Sequence, residues 1–213
     1  MNYSIQDIVR EVRKALDENE VHASFIEDVY TLSLNAIIEQ KIPDAVRSVT
    51  EAAPSRLLDG GVAFATTLNW ESGTVGKGMG YALLPDDFMR LVIFQMNDWR
   101  RPVVTPIEDT DPLYFLQKSK FSGIRGGIDK PICAITTYPT GKVMEFYSCV
   151  GGADVTVKVA KYLPFPTIKN GSIDVCRNLY TPVIYYIAGL VSNTYKDKEH
   201  GDVLFAIAND YLK

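Results

Sequence analysis

Helical periodicity occupies both ends of this chain, and strands and turns occupy what lies between. Ser4 to Ala53 and Ser172 to Leu212 carry apolar residues three and four apart, whereas Gly61 to Pro166 is rich in glycine, β-branched residues and turn dipeptides. An amphipathic helical segment must bury its apolar stripe against another element. Two such segments at opposite ends predict that the ends pack on each other and leave the middle as a β body. The expected fold is therefore α+β. Its N- and C-terminal helices form one helical bundle (residues 1–58 with 172–213), with an inserted antiparallel β-sandwich or barrel-like domain at 59–171. With 213 residues, 46% of them hydrophobic, the chain can bury such a core without disulfide or metal staples.

The first helix begins after Ser4, a candidate N-cap with Asp7 three residues on in a loose capping box, and Asn19 and Glu20 close it. Its stripe is Ile5, Ile8, Val9, Val12 and Leu16. A second helix is expected from Phe25 to Asp28 onward, carrying Val29, Leu32, Ile37 and Ile38, with a break near Lys41 because Pro43 lacks a backbone donor. A short helix with Pro43 in its first turn then turns Ala45, Val46 and Val49 inward, and Pro54 lies beyond it.

In the middle, Val62 to Trp70 and Gly80 to Leu84 flank a glycine-rich loop. Leu91-Val92-Ile93-Phe94 predicts a buried strand, and Arg101 to Val104 another. Asp111-Pro112 starts a short helix reaching Ser119. Ile132 to Tyr138 and Lys142 to Cys149 form a hairpin around Pro139-Thr140-Gly141. Val155, Val157 and Val159 form the inward set of a half-buried strand ending at Leu163-Pro164, which brings the count to about six strands. The last long helix is expected from Ile173 to about Tyr195, capped by Ser172 and interrupted by Pro182, with a kink or break after about Asn178. Its second half is apolar nearly all round, and Ala188-Gly189 admits a close neighbouring backbone. A final helix, Val203 to Leu212, turns Leu204, Ile207, Ala208 and Tyr211 to one side.

A net charge of −4 argues against a protein that grips nucleic acid by its phosphates. Cys133, Cys149 and Cys176 are odd in number and lack paired spacing, so reduced core thiols in a reducing compartment are expected. The N-terminus lacks signal-peptide design and no run is long enough for a membrane span, which predicts a soluble protein.

Candidate chemistry is sparse. His22 and His200, the two histidines, sit in polar, loop-like contexts without metal-site spacing. Gly76-Lys77 has the dipeptide of a phosphate loop, but Gly78 and Glu71 break the pattern. Asp86-Asp87 suits a turn better than acid–base work, although a hydrolase using either carboxylate is one alternative. Glu108, Asp109 and Asp111 could hold a hard cation but lack EF-hand spacing. Cys176 lies at an expected helix start, where a thiol can be activated, yet a core position fits better. Whether Cys133 and Cys149 are neighbours turns on one residue of hairpin register. A carbohydrate-binding β module stacking sugars on Trp70, Trp99 and tyrosines is the other alternative. The residue types favoured at interface centres are Trp99, Arg100 and Arg101, and Tyr185, Tyr186 and Tyr195 on the last long helix. The competing reading of the first group packs Trp99 into the core and leaves the arginines solvated.

Several segments together resemble the head–tail connector proteins of tailed bacteriophages, also called adaptor, neck or ring proteins. They are LPDDFMRLV (Leu84 to Val92), DWRRPV (Asp98 to Val103), FYSC (Phe146 to Cys149), VAKYLPFP (Val159 to Pro166) and LYTPVIYYIAGLVSNTY (Leu179 to Tyr195). The likeness spans nearly the whole chain and rests on apolar and turn positions. It implies a non-enzymatic virion component without cofactor, assembled in the bacterial cytoplasm and placed at the head–tail junction. Such subunits form a ring, usually dodecameric, that docks on the portal protein and meets tail or further neck proteins. DNA passes through the lumen without sequence-specific binding, and no membrane is involved. No catalytic residue carries over.

Overall fold

The computed structural model describes residues 1–16, 29–64, 67–71, 78–119, 121, 124–147, 149–150 and 154–213, with backbone alone at 29–33. Asn19, Glu20, His22, Phe25 to Asp28, Gly73, Gly76 and Lys77 lie outside the described residues, as do the side chains of Val29 and Leu32. The fold is mixed α+β with several sheets, and the chain divides into two units, Met1–Gly60 with Pro166–Lys213, and Gly61–Phe165. Among the described residues no helix is long and apolar enough to cross a membrane.

The first unit joins both ends of the chain. Strand β1 (Asn2–Ser4) pairs antiparallel with β10 (Ser172–Asp174), Tyr3 opposite Ile173. Helix α1 (Ile5–Ala15) follows directly and buries Ile5, Ile8, Val9 and Val12. Ser4 occupies the N-cap position, but its side chain makes no capping bond. Its backbone belongs to β1, and the Asp7 carboxylate pairs with Arg10 at 2.7 Å instead, so the expected capping box is not formed.

Helix α2 (Val29–Ala52) runs through Pro43 without the expected break. A proline inside a helix costs about 3 kcal/mol. Along the same helix Ile38, Ile42, Val46 and Val49 are buried, each stabilising by roughly 1.5–3 kcal/mol. The stripe outweighs the proline. The carbonyl that loses its donor, that of Glu39, sits on an exposed residue where water can serve it.

Ser172 and Ile173, expected to open a helix, lie in β10, where pairing with β1 overrides their helical spacing. A 3-10 turn at Arg177–Leu179 leads into α4 (Tyr180–Thr194). The interruption expected after about Asn178 is thus the junction between the 3-10 turn and α4, and Pro182 falls in the first turn, where backbone amides have no intrahelical acceptor. Helix α4 packs against α1, α2 and α5 (Lys198–Asp210), which accounts for its buried Val183, Ile184, Ile187, Ala188 and Val191. The Asp197 side chain caps α5 by accepting from His200 N at 3.2 Å. His200 is thus a helical residue rather than a loop one. Gly189 is approached by the ring of Phe205, and the backbone of Gly201 on α5 comes close to Gly189 O, as expected of a small residue there. On α5, Leu204 and Ala208 are buried while Tyr211 is exposed, narrower than the expected face.

The second unit contains two sheets. The smaller is antiparallel in the order β2 (Val62–Ala63), β9 (Val157–Pro164), β5 (Phe88–Met96). The larger runs β3 (Leu68–Trp70), β4 (Gly80–Leu83), β8 (Gly141–Phe146), β7 (Cys133–Tyr138), β6 (Ile107–Glu108), and its β6–β7 pair is parallel, so the unit is not purely antiparallel. Eight strands, β2 to β9, form in this unit among the described residues, more than the six or so expected, because short pairings such as β2 and β6 carry no period of their own. The hairpin between β7 and β8 closes with Tyr138 opposite Gly141.

Phe94, Met96 and Trp99 meet Cys133, Met144 and Phe146 in one core cluster drawn from both sheets. In β9 the fully buried pair is Ala160 and Tyr162, while Val157 and Val159 are only half-buried. Register shifts against β5 reset the alternation there. Arg101 to Val104 does not form a strand. A single bridge, Phe94 to Val103, is made, since Pro102 beside it has no amide to continue a ladder.

Candidate functional site

Residues alternate between faces along a strand, so β8 sends Met144 and Phe146 to one side of the five-stranded sheet and Val143 and Glu145 to the other. Tyr147, the next residue in the second series, follows Glu145 just beyond the strand end. On the neighbouring strands Glu145 faces Ala134 of β7 and Tyr81 of β4. The small Ala134 leaves room beside a carboxyl group, and the Tyr138 hydroxyl reaches across the hairpin to donate to Glu145 Oε1 at 2.5 Å. Tyr147 donates to Oε2 of the same carboxylate. Helix α3 (Pro112–Leu116) brings Tyr114 against the edge of the Tyr147 ring, centroids 6.5 Å apart. Glu145 is thereby 5% exposed, a buried carboxylate met by neutral phenols.

These groups and their neighbours line an open pocket of about 120 Å3, with Glu71, Tyr81, Lys118, Tyr138, Glu145 and Tyr147 in its wall. Burial first, and then the Glu145 carboxylate, push the Tyr147 and Tyr138 phenols far above their ordinary values, and Tyr114 is raised by the same causes. The phenols stay neutral donors across the physiological range. Lys118 holds its Nζ 5.6 Å from the Tyr114 ring centroid at the pocket rim. Sequence reasoning missed this site. Its signal was a lone acidic residue between Met144 and Phe146 in a strand, with tyrosines two positions on and across the turn.

A second feature lies on α3 and the loop after it. Leu113, Phe115, Leu116, Phe121 and Ile124 are all exposed, Phe115 at 72% and Phe121 at 71%. Asp111 caps α3 as expected, accepting from Leu113 N at 2.8 Å, though the helix stops at Leu116, short of Ser119. Gln117 is 1% exposed and braces the loop, donating to Leu113 O and accepting from Gly126 N at 2.8 and 2.9 Å. One buried glutamine thus ties Leu113 to Gly126, the two ends between which these exposed side chains lie.

The six interface candidates fall in the two separate units. Trp99 is 3% exposed and packs edge-on against Phe94, centroids 5.7 Å apart, so the contact role assigned to it is corrected to a core role. Arg100 is exposed and pairs with Asp129 at 2.7 Å, and Arg101 is exposed beside it. Tyr185 and Tyr186 are half-buried, stacked on Tyr211 and tilted against Phe205 respectively. Tyr195 is 54% exposed.

Asp86 and Asp87 occupy a turn, and Asp87 accepts from the Tyr162 hydroxyl at 2.7 Å. Near the 108–111 cluster, Asp109 accepts from Thr136 Oγ1, and among the described residues no group of three His, Cys, Asp or Glu is placed to hold a metal ion. Cys133 and Cys149 share one core cluster with both thiols free. Cys176 precedes a single 3-10 turn rather than an α-helix, and its thiol donates to Asp59 O at 3.3 Å. Burial raises its pKa, so the thiol is not activated. Trp70 packs edge-on against Phe146, centroids 5.1 Å apart. No known protein-family model matches this chain, and no curated protein matches it significantly.

Proposed function

We propose that this chain is a structural subunit of a phage head–tail connector ring, which docks on the portal and extends the DNA channel toward the tail. In this reading the terminal helices act as one bundle, and the intervening unit acts as an inserted β-sandwich that meets neighbouring copies. The observation that carries it is the exposed apolar set Leu113, Phe115, Leu116, Phe121 and Ile124. Leaving one Phe in water forgoes roughly 1.5–3 kcal/mol, and five large apolar side chains exposed within twelve residues mark a contact surface. A closed ring needs two different patches on each subunit. Tyr195 and the Arg100–Arg101 pair are the candidates for further contacts, including those to portal and tail proteins. The sequence resemblance supplies the viral assignment, and a net charge of −4 suits a lumen along which DNA slides without being held.

The test is the mass of the particle by size exclusion with light scattering, alone and on purified portal protein. The expected result is a ring of many copies, lost when Phe115 and Phe121 are both changed to Asp. A monomer that also ignores portal, or a double variant that assembles as well as the parent, sinks the reading.

A further inference from the structure

The geometry points to a binding site for a primary alkylammonium group in the pocket around Glu145. Three observations converge there. Glu145 is 5% exposed, and among the described residues no Lys or Arg forms an ion pair with it. A buried carboxylate met only by neutral donors retains most of its field, and a cation is what most favourably answers it. Next, the walls are phenol rings. Tyr138 and Tyr147 donate their hydroxyl hydrogens to the carboxylate, which pushes electron density back into rings whose faces attract cations. Finally, the pocket volume of about 120 Å3 suits an alkylammonium head and a few methylenes, and Met79 adds an apolar wall.

Lys118 at the rim is the obvious competitor. It is exposed, so water and salt screen its charge, whereas Glu145 acts from a buried position. Lys118 weakens the site without filling it, since its Nζ lies over the Tyr114 ring and makes no ion pair with Glu145. The ammonium group could belong to a free amine or to a lysine side chain of a protein. The chemistry recognised is the same, and it is independent of whether the chain assembles into rings.

The experiment is an NMR titration of the intact protein, following the Met79 methyl signal. The probes are n-butylammonium and Nα-acetyl-lysine-N-methylamide, with 1-butanol and the norleucine analogue as neutral controls. Saturable shifts are expected with the two cations and not with the controls. Tighter binding of the capped lysine assigns the site to a protein side chain, and tighter binding of butylammonium assigns it to a free amine. Lys118→Gln removes the screened like charge and tightens binding about threefold. Lys118→Gln leaves the core untouched, so it decides the matter even if variants inside the pocket fail to fold. Equal shifts with the neutral controls, absence of saturation up to about 50 mM, or no tightening in Lys118→Gln overturns the assignment.

Discussion

Phe205 holds its ring where a side chain on Gly189 would have to go. A Cβ at 189 would stand 2.8 Å from Phe205 Cε1, and on the facing helix a Cβ at Gly201 would stand 3.2 Å from Gly189 O. Two glycines let α4 and α5 approach closely. Gly189→Ala gains about 1 kcal/mol of helix propensity and loses roughly 1–3 kcal/mol to overpacking, so a net loss is expected. Urea unfolding measures it. Adding Phe205→Leu should recover part of the loss, and a double variant no better than the single one would show that the ring is not the obstacle.

Tyr147→Phe leaves Glu145 Oε2 without its donor in a buried setting. A cost of roughly 1–3 kcal/mol is expected. Tyr138→Phe should cost less, because the Tyr138 ring is half-buried whereas Tyr147 is 2% exposed. Unfolding midpoints of the two variants give the comparison, and the reverse order would mean that Tyr138 is the principal partner of the carboxylate.

Burial first, and then Asp87, push the Tyr162 phenol up to about 12. Its unfolded value is about 10. Above that pH the unfolded chain releases a proton that the folded chain retains, so stability falls as pH rises. The contribution of Tyr162 is present in full below pH 10 and is lost between about 10 and 12. Thermal melts across this window should steepen for the parent and flatten for Tyr162→Phe. Identical slopes would remove Tyr162 from the alkaline transition.

The three thiols should resist alkylation in the folded protein. Cys133, Cys149 and Cys176 are buried, and desolvation raises the pKa of each, so little thiolate forms. Iodoacetamide at mildly alkaline pH followed by intact mass should find no adduct until denaturant is added. Rapid labelling of any one cysteine would show that its surroundings open.

Where a pattern is local and strong, residue order was enough. The β-branched run at Leu91–Phe94 lies within β5, Asp111 caps a proline-led helix, and the β7–β8 hairpin closes over Pro139-Thr140. The errors cluster where distant residues intervene. Pro43 stays helical because its helix buries a long stripe, and Ser172 to Asp174 becomes a strand because β1 lies alongside it. Trp99 is identifiable as an aromatic beside two arginines, but its direction depends on Phe94 and the rest of the core beneath it. Glu145 was hard to see as a site because only Tyr147 lies beside it in sequence, whereas Tyr138 comes from another strand and Tyr114 from α3.

By itself, the order of residues determined the helical ends, the strand-rich middle and the strongly patterned elements within them, since period, capping and turn chemistry act within a few positions. The tertiary structure decided which weak preferences were overridden and which polar group was enclosed. Burial against remote neighbours adds several side chains' worth of free energy at once, and a single proline or a short helical spacing cannot match it.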